Sequence, residues 1–386
     1  MRSQRLRNWF TYLVFGCAVL LFFPVLGQTA EKIRIKTHTL ESVSPSYSIR
    51  QLSKGTRNIQ FIHFPPKDPS NLEKKDLIWI TGFKTYILDA QTHNPISDEY
   101  LFFLTLNSFE EMDATRLLEE LRYSKRKPKL LRRPKMRIRS LRNFSLPTLS
   151  TSFHAQVIPR KVRFKYKGLI TLLQGQSEIN FPEGFAIPVL SQEKFFLRSQ
   201  LLNCNPAPQK RFELKFKTVI EYVYDEDLNY EMKPLIRYDY NFIPTSKAAS
   251  KNPAERNSNS WDVTPGQHIY QCVLRPRGFK RQDSPIHYIN FYFGPFGQSV
   301  EIKDSITGQE ILKAKAQNYD DRIGISHTDH YSSTLGILLS KDHLYEFNCV
   351  YNNTSSKTVA ALNEMCVFYL DKKFNKKKFM NRFILQ

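Results

Sequence analysis

The sequence is poor in glycine and lacks the short motifs by which many enzymes are recognised. Among 386 residues there are only 14 Gly, and there is no Gly-rich phosphate loop, no His-Glu-x-x-His or Cys-x-x-Cys motif and no serine nucleophile elbow. Such motifs place phosphate-binding backbone, zinc ligands or an activated serine at fixed spacings. Their absence excludes the enzyme classes that depend on them.

Acidic residues are scarce relative to basic ones. The chain has 36 Asp and Glu against 57 Lys and Arg, which gives a formal net charge of +21. An excess of this size attracts anionic partners such as nucleic acid, phospholipid head groups, lipopolysaccharide or an acidic protein face. The charge alone does not decide among them.

The N-terminal residues predict export. Arg2, Arg5 and Arg7 precede the run LVFGCAVLLFFPVLG, and a basic segment followed by about 15 apolar residues is typical of a secretory signal peptide. We therefore expect residues 1–30 to be a signal peptide and the protein to be periplasmic or associated with the outer membrane, without a nucleic-acid partner. The alternative is an inner-membrane anchor through residues 10–27. Export also permits disulfides among the four cysteines that follow.

Aromatic and β-branched runs predict an all-β protein. The chain is 41% hydrophobic and 13% aromatic, and its apolar runs are rich in Phe, Tyr, Val and Ile, which favour strands. The stretch NFPEGFAIPV (180–189) is instead typical of a turn, and the charge pattern of 109–124 predicts a helix. The clearest predicted strands are NIQFIHF, DLIWITGFKTYILDA, LFFLTLNS, FFLRSQLLNC, RFELKFKTVIEYVY, QHIYQCVL, IHYINFYF, SVEIKDSI, HLYEFNCVYN and EMCVFYL.

Basic and small polar segments divide the chain. Residues 122–142 hold eleven Lys or Arg and no acidic residue; this basic segment is either a solvated loop or an arm that docks on an anionic surface. The predicted organisation is a signal peptide (1–30), a first β-domain (31–243), a polar linker (244–260), a second β-domain (261–372) and a basic tail (373–386). The residues predicted to bind the anionic partner are Lys125, Arg126, Lys127, Lys129, Arg132, Arg133, Lys135, Arg137, Arg139 and Arg142.

Only the stretch SHTDHYSS places two histidines close together in sequence. His327 and His330 flank Asp329 there, and imidazole nitrogens bind copper or zinc when two or three ligands converge. On a strand the two rings would point to opposite faces, so we expect a loop in which they make hydrogen bonds. The alternative is a metal site in that loop, to which Met365 would add a thioether, although a strand methionine more often fills a core.

Several stretches, in order along the chain, carry a resemblance to a known family. Taken together they resemble exported bacterial proteins related to the copper type II, ascorbate-dependent monooxygenases, which include peptidylglycine hydroxylating monooxygenase and dopamine β-monooxygenase. The resemblance covers most of residues 75–371 and implies two jelly-roll β-sandwich domains in tandem, with a copper on each in the enzymes. The stretches are DLIWITGFKTYILDAQTHNPISDEY, LLQGQSEINFPEGFAIPVLS, LRSQLLNCNP, TVIEYVYDED, IHYINFYFGPFGQSVEIKDSITGQEI, IGISHTDHYSS, KDHLYEFNCVYNNTSS and EMCVFYL.

Most positions where the resemblance implies copper ligands hold other residues here. The methionine ligand's position, Met365, is retained, but one thioether does not hold copper alone. The replaced positions, which we call the ligand slots, are Phe102, Phe103, Cys204, Tyr292 and Gly294. Because aromatic rings can fill the volume that a metal and its ligands leave, the resemblance implies a relative without catalysis and without a cofactor.

The resemblance also implies a disulfide beside the methionine position. In the enzymes a bridge lies there, and its counterpart is Cys349–Cys366. The alternative is a pair of buried thiols on neighbouring strands. The pairing of Cys204 and Cys272 stays open.

Three functions follow from these observations. The first is a non-catalytic structural or interaction protein of the bacterial cell envelope, in one version a component of a larger envelope or secretion assembly. The second is a copper-binding protein or copper-dependent monooxygenase with rewired ligands. The third is a glycan- or peptide-binding module. The candidate ligands of the second function are His327, His330, His343, Met365 and Cys204.

Overall fold

Strands make up most of the part of the chain that the structure describes. The computed structural model describes residues 36–50, 53–54, 58–71, 74–109, 166–205, 211–249, 260–275, 279 and 284–381. The predicted signal peptide, the basic segment, nearly all of the predicted helix and most of the predicted linker lie outside these ranges. Within them the chain is all-β, as the sequence predicts.

The strands of the first half of the chain run from His38 to Pro244. They are β1 (His38–Val43), β2 (Tyr47–Arg50), β3 (Ser53–Lys54), β4 (Asn58–Ile62), β5 (Leu77–Asp89), β6 (Pro95–Ile96), β7 (Leu101–Phe109), β8 (Tyr166–Leu173), β9 (Glu178–Asn180), β10 (Phe185–Leu190), β11 (Lys194–Asn203), β12 (Arg211–Tyr224) and β13 (Lys233–Pro244). Short 3-10 helices lie at Asp98–Tyr100 and Asp225–Asp227, and helix α1 at Thr245–Ala248.

The strands of the second half run from Trp261 to Leu370. They are β14 (Trp261–Val263), β15 (Gly266–Arg275), β16 (Ile286–Phe293), β17 (Gly297–Asp304), β18 (Glu310–Asn318), β19 (Ile325–Thr328), β20 (His330–Ile337), β21 (Tyr345–Asn353), β22 (Val359–Ala361) and β23 (Asn363–Leu370). Helix α2 (Lys376–Met380) follows them.

Apolar runs with clear limits locate strands correctly, whereas two local interpretations are wrong. β12 and β16 have the bounds of the runs RFELKFKTVIEYVY and IHYINFYF. The predicted turn at 180–189 contains most of β10, whose side chains are all buried, because packing between β5 and β13 overrides the turn tendency of Pro188. The predicted loop around His327 and His330 contains parts of β19 and β20, which pair with β18 and β16.

The described strands connect into large, mainly antiparallel sheets. One sheet runs in the order β1-β12-β5-β10-β13-β15-β21-β17-β18-β19, and β23 and β16 extend from β13. A second sheet runs β3-β11-β7-β8, with β4 beside β11. The short parallel contact between β10 and β13 links the first half to the second. Residues 37–386 form one compact unit.

Two apolar cores lie along these sheets. The first core is built mainly from β5, β7, β8, β10, β11 and β12, and Tyr288 and Phe368 join it from the second half. The second core is built from β13, β15, β16, β17, β21 and β23. The chain passes from the first core to the second within β13, where Leu235 belongs to the first core and Phe242 to the second. This boundary therefore precedes the predicted linker.

Part of the predicted basic tail packs on the first half of the chain. The Phe374 ring lies 5.7 Å from the ring of Trp79, and the Lys376 ammonium pairs with Asp225. The described part of the tail is therefore anchored on the first half of the chain. Among the described residues, no helix is both long and apolar enough to cross a membrane.

Candidate functional site

Four of the five ligand slots lie together in one small apolar cluster, which we call the slot cluster. Phe102, Phe103 and Tyr292 are buried in it, and Cys204 packs against it. Its other members are Leu173, Leu202 and Leu362. The slot cluster thus joins positions that the resemblance assigns to two different domains.

Strands from both halves of the chain hold the slot cluster. β7 supplies Phe102 and Phe103, whose rings meet edge to face with centroids 5.5 Å apart, and the partner strand β8 supplies Leu173 opposite Phe103. Tyr292 comes from β16 and is only 3% exposed. The guanidinium of Arg198 lies over the Phe103 ring at 5.7 Å. Aromatic side chains therefore fill the junction between the two sheets.

The environment of Tyr292 prevents it from replacing a histidine ligand. Burial raises the pKa of its phenol well above the usual range, so the hydroxyl is neutral at physiological pH. Side chains bind metal ions through deprotonated or neutral donor atoms, and a phenol must lose its proton first. The site thus favours packing over coordination.

The fifth slot, Gly294, lies close to the backbone of Leu362. Its backbone N–H donates a hydrogen bond to the carbonyl oxygen of Leu362 at 2.7 Å. A β-carbon added at Gly294 would lie 3.1 Å from the Leu362 nitrogen and 3.3 Å from the Leu362 oxygen. Because both atoms belong to the backbone, they move aside less easily than the end of a side chain would, and the geometry disfavours histidine at this position.

We expect Gly294→Ala to lower the free energy of unfolding by about 1–3 kcal/mol because the added methyl group crowds the backbone of Leu362. Gly168→Ala is the matched control, since its β-carbon would meet its nearest neighbour, Arg237, at an ordinary 3.6 Å. Urea unfolding of both variants measures the difference. Equal stability of the two would contradict the close packing at Gly294.

The retained methionine faces away from the slot cluster. On β23, Met365 lies opposite Phe291 of β16, whereas Tyr292 lies opposite Glu364. Neighbouring residues of one strand point to opposite faces of the sheet, and directly paired residues share a face. Met365 is accordingly buried in the second core. The structure therefore does not bring the methionine position and Tyr292 together as ligands of one metal.

The histidine pair near residue 330 does not converge with Met365 either. His330 lies opposite Asn290, which in turn lies opposite Cys366. His330 and Cys366 therefore share one face of the sheet, and Met365 points to the other face. The His330 ring stacks on Tyr288 with centroids 5.4 Å apart, and partial desolvation lowers its pKa. Within the ranges that the structure describes, no three His, Cys, Asp or Glu side chains come together as a metal site requires.

The other two candidate histidine ligands, His327 and His343, each lie beside an aspartate. The His327 ring lies 3.6 Å from a carboxylate oxygen of Asp329 and is 54% exposed. His343 pairs with Asp304, which also accepts the backbone N–H of Ile306 at 2.9 Å and so closes a turn. These contacts explain both histidines without a metal ion.

The structure does not bring together the two cysteines of the predicted Cys349–Cys366 disulfide. They lie in different cores. β21, which carries Cys349, pairs with β15 and β17, whereas β23, which carries Cys366, pairs with β13 and β16. Nearness along the chain thus does not make these two strands neighbours. Cys349 instead lies in the second core with Cys272, which is its diagonal neighbour across β15 and β21.

A largely buried polar network, which the sequence patterns did not reveal, joins strands β8, β13 and β23. Arg237 of β13 donates to Asp239 from Nε at 2.7 Å, to the Thr171 hydroxyl from Nη1 at 2.7 Å and to the Cys366 sulfur from Nη2 at 3.3 Å. Burial holds the pKa of the Cys366 thiol well above its usual range, although Arg237 acts in the opposite direction. Cys366 is therefore a neutral hydrogen-bond acceptor and not a nucleophile. The sequence offers one indication of this network, since Arg237 and Asp239 are two residues apart on a strand and therefore point to the same face.

One buried histidine, His287, predicts loss of stability in acid. The His287 Nδ1–H donates to the carbonyl oxygen of Ser333 at 2.9 Å, and the ring lies 3.9 Å from the ring of Phe185. Burial lowers the pKa of His287, with a smaller contribution from the charge of Lys233, and outweighs the hydrogen bond to Ser333, which raises it. Partial desolvation also lowers the pKa of His330, although this residue is exposed. The unfolded chain therefore binds more protons below the ordinary histidine pKa. The stability that the neutral histidine contributes is complete above the ordinary histidine pKa. It is lost as the pH falls through the lower pKa of the folded protein.

We expect the free energy of unfolding to decrease between about pH 7 and pH 5. His287→Asn retains a donor for Ser333 but cannot titrate, so it should make this decrease smaller. The control is His327→Asn, because that side chain is mostly exposed. Urea unfolding across this pH range checks the prediction, which fails if both variants keep the original pH dependence.

Comparisons with known proteins give no assignment. No family model matches the chain, and no curated protein matches it. Among solved structures, it is similar to a chain in the atomic structure of Sulfolobus turreted icosahedral virus, with 10% identity and a TM-score of 0.28 over 87% of this chain and 91% of that chain. A similarity this low supports no inference about fold or function, and the class defined here is that of an all-β protein.

Proposed function

We propose that the chain is a non-catalytic structural or interaction protein of the bacterial cell envelope. It is built as tandem jelly-roll sandwiches on a degenerate copper-monooxygenase type of fold. The observation that carries this proposal is the slot cluster, in which Phe102, Phe103, Tyr292 and Cys204 meet as apolar packing. A fold retained without its reactive centre serves binding or assembly, because function resides in the site and not in the fold.

The chemistry of the surrounding groups supports the same proposal. Catalysis by this class of enzyme needs metal centres that receive electrons and activate oxygen. Here the phenol of Tyr292 is neutral, the Cys366 thiol is neutral, and Met365 points to the opposite face. The same packing also disfavours a glycan or peptide at this junction, because buried rings occupy it.

Ascorbate-dependent oxygen consumption tests the absence of catalysis. The full chain is supplied with copper and ascorbate, and oxygen uptake is compared with that of the same copper concentration in buffer. We expect the two rates to be equal. A rate above the buffer control that disappears in His327→Ala/His330→Ala would instead support an oxygenase with rewired ligands.

The anionic partner is assigned to the basic segment, which lies outside the described residues. We propose that it binds anionic lipid, lipopolysaccharide or an acidic envelope protein. The test is sedimentation with vesicles of phosphatidylglycerol or of phosphatidylcholine, using the full chain and a variant whose ten predicted contact residues are replaced by Gln. Binding to anionic vesicles should fall by on the order of tenfold or more in the variant. Unchanged binding would remove the segment from the proposal.

A further inference from the structure

Cys272 and Cys349 lie side by side in the second core. β15 and β21 are antiparallel neighbours in which Tyr270 lies opposite Cys349 and Cys272 lies opposite Phe347. The two cysteines are therefore diagonal neighbours on one face of the sheet. They are 4% and 0% exposed and both belong to the second core. A bond between the two sulfur atoms would thus join two strands that are already paired with each other.

We propose that Cys272 and Cys349 form a disulfide when the protein folds under oxidising conditions. The other two described cysteines lie elsewhere. The Cys366 sulfur accepts a hydrogen bond from Arg237 in the polar network, and Cys204 packs against the slot cluster with Tyr292. Of the pairings that four cysteines allow, the structure therefore favours the one that joins β15 to β21.

The oxidant for this step is a small-molecule or protein disulfide, for which oxidised glutathione is a suitable probe. The thiolate of one cysteine attacks the oxidant and forms a mixed disulfide, and the second cysteine then displaces the remaining thiol. The two S–H bonds of the protein and the S–S bond of the oxidant break, and the bond between Cys272 and Cys349 forms. Two electrons pass to the oxidant's sulfur atoms, which leave as two thiols carrying the two protons.

Because both cysteines are buried, we expect the disulfide to form during folding and not in the folded protein. The hydrogen bond to Cys349, and next burial, raise the pKa of the Cys272 thiol, and the thiolate is the reactive species. The folded, reduced protein should therefore oxidise slowly, and the bond should form while the strands assemble. Once formed, it should resist reducing agents until the second core opens.

Peptide mapping tests the pairing directly. The full chain is unfolded and reduced, refolded with oxidised and reduced glutathione, alkylated under denaturing conditions and digested. We expect a peptide that links Cys272 to Cys349, with Cys204 and Cys366 alkylated. A link between Cys349 and Cys366, any other pairing of Cys272 or Cys349, or alkylation of all four cysteines would overturn the proposal.

A second measurement compares thermal unfolding with and without reductant within each variant. Reduction in denaturant before refolding should lower the thermal midpoint of the unmutated chain by on the order of 10 °C. The midpoint of Cys272→Ser/Cys349→Ser should not change with reduction, whereas that of Cys204→Ser should change as in the unmutated chain. Equal shifts in both variants would contradict the assignment, and the peptide map decides if a variant does not fold.

Discussion

Phe102→Ala is expected to lower the free energy of unfolding by about 3–5 kcal/mol, the usual effect of removing a buried ring. The Phe102 side chain is 1% exposed and belongs to the slot cluster with Tyr292 and Leu362. Its removal takes the edge-to-face contact from Phe103 and leaves a cavity where strands from both halves of the chain meet. Urea unfolding measures the loss.

Leu335→Ala is the control for this change, because Leu335 is 90% exposed. Its effect should stay within about 0.5 kcal/mol, as for surface substitutions in general. If Phe102→Ala were as mild as the control, Phe102 would not be packed as described. The interpretation of the ligand slots as filled volume would then lose its support.

Replacing Arg237 by Met should lower the free energy of unfolding by about 1–3 kcal/mol, because the buried Thr171 hydroxyl and Cys366 sulfur lose their hydrogen-bond donor. The guanidinium connects three strands through Asp239 on β13, Thr171 on β8 and Cys366 on β23. Asp239→Asn should lower stability less, since the Asp239 side chain is 34% exposed and water can replace part of the interaction.

Lys303→Met provides the matched control for Arg237. Lys303 forms an ion pair with Glu301 at 2.9 Å, but its side chain is 40% exposed, and such a surface pair contributes about 0–1 kcal/mol. Urea unfolding of the three variants should rank Arg237→Met as the most destabilised. A loss in Arg237→Met no larger than that in Lys303→Met would show that the polar network does not connect the sheets.

The strand content of this fold can be predicted from local sequence, whereas strand pairing cannot. β12 and β16 follow from uninterrupted aromatic and β-branched runs. β10 was not predicted as a strand, because its Pro188 and the preceding Gly184 are typical of a turn. Its burial between β5 and β13 makes it a strand. β19 and β20 were not predicted as strands, because they are short and polar and are held in place by pairing with β18 and β16.

The candidate site depends on the resemblance for its residues and on tertiary structure for their arrangement. Local patterns do not single out Phe102 or Tyr292 among many aromatics, and no pattern indicates that they meet. Sequence also gives no indication that Cys349 and Cys366, which are close along the chain, lie in different cores. The Arg237 network could not be predicted because its partners come from strands far apart in the chain.

Copper stoichiometry of the full chain tests the central claim most directly. The purified protein is dialysed against copper, first as Cu(II) and then as Cu(I) under reducing conditions, and weakly bound metal is removed with a chelator. The remaining copper is measured by mass spectrometry, with Tyr292→Phe as a variant that keeps the ring of the slot cluster. Our account predicts no retained copper in either protein. Two tightly bound copper ions per unmutated chain would contradict it.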